Sequence, residues 1–309
     1  MKQIHDLRAA LPLFRCLSSE TRVAILELLE KNGTMRMTDI AEALGVTGGT
    51  LSPHMKLLAE CGLISIAFSA GKHGVQRDCS LGDTCFLIDP QRAPLSAPAY
   101  EAEISVGQYT GYEVYPTCGL ATPERLIGEV DDPRYFASPE RVDCDILWLG
   151  HGYVEYMIPN YLKPNERATE LQISMEISSE APGYCENWPS DITFSLNGVT
   201  LCSWTCPGDF GATRGIYIPA WWDRSWNQHG QFKLLTVNET GCYIDGTRYS
   251  DRTLSQLGIA PDTPLTLRIA SPLEARNPGG LTLYGRSFGN YAQDIRVRMV
   301  YERQTAQLG

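Results

Sequence analysis

The stretch MTDIAEALGVTGGTLSPHMKLLAECG, residues 37–62, decides the fold of the first part of this 309-residue chain. It predicts a helix that breaks at Gly45 and a second helix that ends at Gly62, because glycine readily adopts the backbone angles found where helices stop. Thr47 is the expected N-cap of the second helix. A helical repeat of apolar residues predicts its buried stripe at Leu51, Met55 and Leu58. The stretch therefore predicts a helix-turn-helix.

The sequence on both sides of this stretch extends the prediction to a small domain. Residues 20–32 predict a further helix that ends at Gly33. Residues 63–68 and 75–81 predict two strands of a hairpin. An earlier helical segment carries one apolar face, formed by Ile4, Leu7, Leu11, Phe14 and Leu17. Residues 1–82 are therefore predicted to form one unit.

Small and hydrogen-bonding side chains lie off the buried stripe of the second helix, where they can approach base edges and phosphates. The hairpin adds positive charge at its tip and flank. A plain surface hairpin is the alternative interpretation of those strands. The predicted DNA-binding residues are Thr47, Gly48, Gly49, Thr50, Ser52, His54, Lys56, Lys72, His73 and Arg77.

This order of helices, followed by TLSPHMKLLAECGLI and a hairpin, resembles the ArsR/SmtB-type winged helix-turn-helix repressors. LSSETRVAILELL resembles the second helix of that family, and the resemblance covers about residues 1–82. It implies a transcriptional regulator that binds double-stranded DNA as a homodimer, with the N-terminal helix in the dimer interface. The apolar face of residues 4–17 would then serve both the core and the dimer.

Metal-sensing members of the family often carry a short Cys-x-Cys motif on the third helix. The matching residues here, 35–39, contain two methionines and no cysteine or histidine. Thioether sulfur binds Zn²⁺ poorly compared with thiolate. The family's metal sensing is therefore not carried over, and we expect no metal site and no cofactor.

The charge of the chain is divided unevenly along its length. Residues 1–82 hold nine Lys and Arg against eight Asp and Glu, a net +1, whereas residues 83–309 hold 17 against 28, a net −11. An acidic domain repels phosphates, so the second part is not expected to contact DNA. The sequence has no apolar run of membrane-spanning length and no secretory signal, so no membrane contact and a cytoplasmic location are expected.

Residues 83–105 contain three prolines and predict a linker or arm. From residue 106 to 309 the pattern is that of strands and turns, as in the candidate strands 145–150 and 153–158. Asn197-Gly198 predicts a two-residue hairpin turn. The predicted fold class is multidomain α+β: an N-terminal winged helix-turn-helix followed by a larger all-β, jelly-roll-like sandwich.

Tryptophans and polar side chains concentrate between residues 176 and 229, a combination that suits sugar recognition. An indole face stacks on the apolar C–H face of a pyranose, while carboxylates and amides bind hydroxyls. We therefore expect a small polar effector, most plausibly a carbohydrate. Tryptophans that only fill the core are the alternative. The predicted ligand-binding residues are Glu186, Asn187, Trp188, Asp191, Trp204, Asp209, Arg214, Trp221, Trp222, Asp223, Trp226 and His229.

Three other interpretations of the β domain remain open from sequence. It could be a protein-interaction or oligomerisation module rather than a small-molecule sensor. It could carry a redox or metal site formed by Cys202 and Cys206, the closest cysteine pair. It could be an enzyme with two converging acids. Attachment to a DNA-binding unit favours sensing over turnover, so we expect no enzyme activity and no catalytic residues.

Overall fold

The computed structural model describes residues 2–4, 7–71, 74–82, 86–88 and 97–304. It divides into two compact units, residues 1–96 and residues 97–309. The second unit begins before residue 106, where the sandwich was predicted to start. A strand at Ala99–Ile104, inside the predicted arm, pairs with the last strand of the chain and so belongs to the β unit.

The first unit contains helices and short strands. Among its described residues the helices are α1 (Leu7–Leu17), α2 (Glu20–Asn32), α3 (Met37–Ala43) and α4 (Gly48–Glu60). The strands are β1 (Lys2–Ile4), β2 (Met35–Arg36), β3 (Ile64–Gly71), β4 (Gly74–Leu81) and β5 (Phe86–Ile88). β1 and β5 pair in parallel.

The helix-turn-helix has the boundaries that its glycines and cap predict. The Thr47 side chain accepts a hydrogen bond from the Thr50 backbone N–H at 3.2 Å, which satisfies one of the free donors at the start of α4. Gly33, Gly45 and Gly62 all have positive φ. The predicted stripe of α4 is buried in one core with residues of α2 and α3. The stripe consists of Leu51, Met55 and Leu58.

The predicted hairpin is present as β3 and β4, which pair antiparallel over their whole length. A third strand joins it, because Met35 and Arg36 of β2 pair with Cys79 and Asp78 of β4. The order β2-β4-β3 makes the hairpin a three-stranded wing that is tied to the start of α3. The hairpin is therefore part of a three-stranded sheet, and whether it contacts DNA stays a prediction.

The apolar face predicted for α1 points mainly to solvent. Leu7, Leu11 and Phe14 are 52%, 42% and 41% exposed. The buried side of α1 consists instead of Ala10, Leu13 and Cys16. The predicted face is thus not the core face of the single chain, since α1 is buried along its other side.

The second unit consists of strands and three short 3-10 helices in its described residues. The 3-10 helices are Pro133–Ala137, Pro139–Asp143 and Leu254–Leu257. The strands are β6 (Ala99–Ile104), β7 (Gly111–Ala121), β8 (Ile146–Ile158), β9 (Glu166–Ser178), β10 (Ser190–Leu196), β11 (Val199–Cys206), β12 (Gln231–Asn238), β13 (Gly241–Ile244), β14 (Thr247–Ser250), β15 (Leu265–Ser271), β16 (Leu281–Tyr284) and β17 (Ile295–Arg303).

Two long strands join the parts of the sheet into a nearly closed, barrel-like arrangement. β8 pairs along one edge with β7, and along the other first with β16 and then with β15. β9 pairs along one edge with β12, and along the other with β17 and β16. β16 therefore lies between the two long strands, and their apolar side chains form the main core.

The candidate strands 145–150 and 153–158 are one continuous strand, β8. Gly152 has φ 114°, and a Cβ at this position would meet the backbone carbonyl of Glu113 on β7. Glycine therefore lets β8 change pairing partner without ending. The Asn197-Gly198 turn connects β10 to β11, as predicted. The prediction of a helix-turn-helix followed by a larger β domain is confirmed, while the jelly-roll order of the strands stays a prediction.

Candidate functional site

A cavity of about 260 Å³ opens in the β unit where the loops that follow β7, β9 and β11 meet β8. Its volume is slightly below that of pockets for drug-sized ligands, roughly 300–1,000 Å³, so it suits one small ring. Residues from widely separated parts of the chain line it: Thr117, Val130, Asp131, Trp148, Glu180, Pro182, Gly183, Trp222, Trp226 and Asn227.

Three indoles form the apolar wall. Trp148 of β8 and Trp222 are both buried, and their ring centroids lie 5.9 Å apart, edge to face. Trp226, half-buried, packs edge to face on Trp222 at 4.8 Å. The Trp222 Nε1 donates to the Asn227 carbonyl at 2.8 Å, which fixes the ring. The wall is thus a preformed aromatic surface rather than a set of free side chains.

Glu180 forms the polar side of the cavity and is 8% exposed. Its carboxylate accepts hydrogen bonds from the hydroxyls of Thr117 at 3.1 Å and Thr282 at 2.9 Å, and from the Asn227 amide at 3.4 Å. Burial raises the pKa of Glu180 well above its usual range, and the nearby charge of Asp209 adds to this. The group is therefore held in place by neutral donors.

Asp131 supplies a second carboxylate at the mouth of the cavity. One of its oxygens accepts the backbone N–H of Cys118 at 2.9 Å, and its backbone has a positive φ of 61°. Together with Glu180, Thr117 and Asn227, it offers acceptors and donors beside three aromatic rings. This arrangement can bind a small molecule that has both an apolar face and polar substituents.

The cavity brings together two of the twelve predicted ligand-binding residues, Trp222 and Trp226. The other ten lie outside it: Glu186, Asn187, Trp188, Asp191, Trp204, Asp209, Arg214, Trp221, Asp223 and His229. Most of these ten have structural partners that account for their positions, so the rich composition of this stretch reflects loop and core contacts as well as the cavity.

The acids among the ten stabilise loops. Asp209 is buried and accepts the backbone N–H of Ala181 at 3.1 Å. Glu186 accepts the backbone N–H groups of residues 211 and 212, and Asp191 accepts from the backbone and side chain of Asn277. Asp223 accepts from the backbone and side chain of Ser225.

The aromatic and basic members also have local roles. Trp204 is a core residue on β11, with the Lys233 Nζ 4.6 Å from its ring centroid. The Trp221 Nε1 donates to the Pro123 carbonyl at 2.6 Å. Arg214 donates to the Pro219 carbonyl, and the His229 ring stacks on Phe210. Asn187 and Trp188 are exposed.

Several lining residues were not predicted from sequence, chiefly Trp148, Glu180, Thr117 and Asp131. Trp148 sits in a strand whose neighbours are apolar, so its pattern is that of a core residue. Glu180 gave a weak signal, since it continues the alternation Glu176, Ser178 beyond the end of β9. Their convergence depends on strand pairing between distant segments, which local sequence does not encode.

The cysteine pair proposed as a redox or metal site is not formed. The Sγ of Cys202 lies 3.5 Å from that of Cys242, and the Cys206 thiol donates to the Gly208 carbonyl. The register of β11 turns both cysteines into the core, where each thiol contacts a different neighbour. Within the described residues, no group of three or more His, Cys, Asp or Glu side chains could hold a metal ion.

The residues predicted to bind DNA stay a prediction, and the structure gives the exposure of those that it describes. Four consecutive residues at its start are exposed: Thr47, Gly48, Gly49 and Thr50. Ser52 and His54 are half-exposed. Lys56 is exposed and lies 3.8 Å from Glu60 one turn later. Arg77 of β4 is exposed and lies beside the Phe68 ring. Lys72 and His73 lie outside the described residues.

Comparison with known families supports the first unit. Residues 19–65 match the model described as bacterial regulatory protein, arsR family. This match covers most of α2, α3 and α4 and the start of the wing. The first unit therefore carries an ArsR-type helix-turn-helix, which indicates a DNA-binding transcription regulator.

The remaining comparisons add no assignment to the β unit. No curated protein matches the chain significantly. One solved structure that resembles it is dimeric latent PorU from Porphyromonas gingivalis, at 12% identity and a TM-score of 0.24. The match covers 78% of this chain but only 18% of that one. None of the helices in the described part of the chain has the length and apolar character that a membrane span requires.

Proposed function

We propose that this protein is a DNA-binding transcription regulator whose β domain senses a small polar ligand, most plausibly a carbohydrate. The observation that carries the proposal is the cavity with Trp148, Trp222 and Trp226 on one side and Glu180 with Asn227 on the other. Stacking of a sugar's C–H face on indole, with hydroxyls bound by carboxylate and amide, is the chemistry that this lining supports.

The ligand half of the proposal is tested by fluorescence titration of the full chain with neutral sugars. Trp226→Ala removes a half-buried wall residue, so it should weaken sugar binding and the accompanying fluorescence change. Trp188→Ala is the matched control, because Trp188 is 39% exposed and lies outside the cavity. Unchanged affinity in both variants would place the ligand elsewhere.

The DNA half is tested by the salt dependence of binding, which needs no knowledge of the operator sequence. Lys56→Ala or Arg77→Ala should weaken binding to any duplex and reduce the salt slope by about one unit, because each loses a phosphate contact. Lys31→Ala is a control, since Lys31 is an exposed residue in the last turn of α2, outside α4 and the hairpin strands β3 and β4. Equal slopes in all variants would mean that another face binds DNA.

We propose that the cavity binds without catalysing a reaction, although Glu180 and Asp131 both line it. Each carboxylate already accepts hydrogen bonds from the chain, Glu180 from three side chains and Asp131 from a backbone N–H. A positioning role fits these contacts. Chromatographic detection of hydrolysed glycoside after prolonged incubation would contradict this proposal.

The second candidate is an interaction or oligomerisation module, and it rests on a different surface. A groove of about 350 Å³ on β7, β8 and β15 is lined by Tyr115, His151, Tyr153 and Arg268 among others. The rings of Tyr115 and His151 are exposed or half-exposed and stack at 4.4 Å. If this surface joins copies of the chain, Tyr115→Asp should lower the mass measured by light scattering, whereas Trp226→Ala should not.

A further inference from the structure

Among the described residues, the ionisable side chains that line the cavity are all acidic. Its described lining residues include two carboxylates, Glu180 and Asp131, and no lysine, arginine or histidine. A third acid, Asp209, lies close enough to Glu180 to raise its pKa. The cavity therefore offers a ligand acidic groups and no basic group among its described lining residues, and a cation that enters it would favour the ionised form of Glu180.

Glu180 has no basic partner within the described chain. Its three hydrogen-bond donors are the hydroxyls of Thr117 and Thr282 and the amide of Asn227, all of them neutral. A buried carboxylate with no cation nearby is costly to ionise, which is why its pKa is raised. A positively charged group in the cavity would supply the missing counter-charge.

The aromatic wall favours the same kind of group. Indole faces attract cations electrostatically, and the attraction is stronger where water is excluded. Trp148 and Trp222 are buried, and Trp226 is half-buried beside them. An ammonium on the ligand would thus be attracted both by the rings and by the carboxylates, while the rest of a sugar ring stacks on indole.

We propose, resting on the sugar-binding function argued above, that the ligand of this cavity is a monosaccharide bearing a protonated amino group, a hexosamine. The ammonium lies toward Glu180 and Asp131, and the pyranose C–H face lies on the tryptophans. Phosphorylated and carboxylated sugars are rejected, because a phosphate or carboxylate in this cavity would meet two acids and no described cationic lining residue.

The test is a calorimetric and fluorescence titration of the full chain with matched ligands at constant ionic strength. Glucosamine and galactosamine are compared with glucose and galactose, with their N-acetylated forms, and with glucosamine 6-phosphate. Choline serves as an ammonium without a sugar ring. We expect each amine to bind about tenfold more tightly than its parent hexose, a factor within the range of a desolvated cation–π contact.

Two variants separate charge from shape. Asp131→Asn keeps the acceptor oxygen, tolerates positive φ and lies at an exposed position, so the fold should survive. Glu180→Gln removes the group that would ionise against an ammonium, and its melting temperature reports whether the fold is retained. Both should weaken binding of the amine by a larger factor than binding of the parent hexose, and so reduce the ratio of amine to hexose affinity. Trp188→Ala, outside the cavity, should leave the ratio unchanged.

The outcomes distinguish this inference from the proposed function. Equal affinity for amine and parent hexose, or tighter binding of the N-acetylated or phosphorylated sugar, overturns the hexosamine inference and leaves sugar sensing intact. Choline binding as tightly as glucosamine also overturns it, since the ring would then contribute nothing. If no sugar of any charge binds, the proposed function fails and the inference fails with it.

Discussion

The aromatic wall of the cavity depends on one glycine of the neighbouring strand. Gly119 on β7 pairs with Trp148 on β8, and a Cβ at position 119 would lie 2.1 Å from the indole. The indole therefore occupies the space that any other side chain at position 119 would need. The position of the Trp148 ring therefore depends on the absence of a side chain at residue 119.

Gly119→Ala should displace the Trp148 ring, because a Cβ at position 119 would overlap the indole. We expect a loss of about 1–3 kcal/mol in the free energy of unfolding, typical of overpacking, together with weaker sugar binding. Urea denaturation and fluorescence titration measure the two effects. Gly111→Ala on the same strand is the control, since its Cβ would meet mainly the flexible Glu155 side chain.

Asp209 makes stability depend on pH. Burial raises its pKa from 3.8 to about 8, against the hydrogen bonds from Ala181 and Ser178 that lower it. The folded protein therefore binds this proton more tightly than the unfolded chain. The resulting stabilisation is present below about pH 4 and is lost as the pH rises to about 8.

Asp209→Asn should remove this fall in stability. Denaturant midpoints measured between about pH 5 and about pH 8 should decline for the original protein and change less for the variant. Asp223→Asn is the control, because hydrogen bonds from the Ser225 backbone and hydroxyl lower the pKa of Asp223. The contribution of Asp223 to stability is lost only on acidification. The stability curve of Asp223→Asn should therefore run parallel to that of the original protein above about pH 5. Parallel curves for Asp209→Asn would contradict the assigned pKa shift.

At the scale of elements, α1 carries an apolar row that the single chain leaves uncovered. Leu7, Leu11 and Phe14 recur along one side of the helix and are each at least 41% exposed. Exposed apolar rows of this kind are typical of association surfaces. They support the homodimer proposed for the regulator, with α1 in the interface.

Leu11→Asp should convert the dimer to a monomer, because it places a charge in the centre of the row without touching the core of the unit. Light scattering coupled to size exclusion, over a range of concentrations, measures the mass, and circular dichroism reports whether the helices remain. Phe68→Asp is the control, since Phe68 is an equally apolar and more exposed residue on the wing. Monomeric original protein, or dimeric Leu11→Asp, would exclude this interface.

The elements that sequence predicts well are those fixed by local interactions. The start of α4 follows from the hydrogen bond between Thr47 and Thr50, three residues apart, and its end follows from Gly62. Strand β2 was not predicted, because two residues gain strand structure only by pairing with Cys79 and Asp78 more than forty positions later. Tertiary pairing, not propensity, forms that strand.

The cavity likewise combines residues that local sequence predicts with residues that only tertiary pairing brings there. Trp222 and Trp226 lie in one polar, aromatic loop and were predicted as ligand contacts, whereas Trp148 and Glu180 reach the cavity only through the pairing of β8 and β9 with β16. Asp209 and Trp204 were predicted as ligand contacts by composition, yet both are buried. Composition thus indicated the region, while strand register decides which side chains line the cavity.

At the scale of the whole molecule, the two parts of the chain differ in charge. The basic side chains predicted to meet phosphates lie in the nearly neutral first part, and the acids that line the cavity lie in the part with net charge −11. The acidic part adds no attraction for DNA, so the proposed ligand is expected to act by changing the affinity of the first unit for its operator. Such coupling is measured by the free energy with which ligand binding changes DNA binding.

Reciprocity makes this coupling measurable from either side. If a saturating ligand changes the dissociation constant for a duplex selected by the full chain, the same duplex must change the dissociation constant for the ligand by the same factor, typically about 5–150-fold. Fluorescence anisotropy measures the first quantity and calorimetry the second. Trp226→Ala should raise the ligand concentration at which the shift in DNA affinity appears, while leaving DNA affinity in the absence of ligand unchanged, because Trp226 lies in the β unit. Ligand binding with no shift on either side would show that the β domain binds but does not regulate, whereas unequal factors would reveal a third linked equilibrium, such as dimerisation through α1.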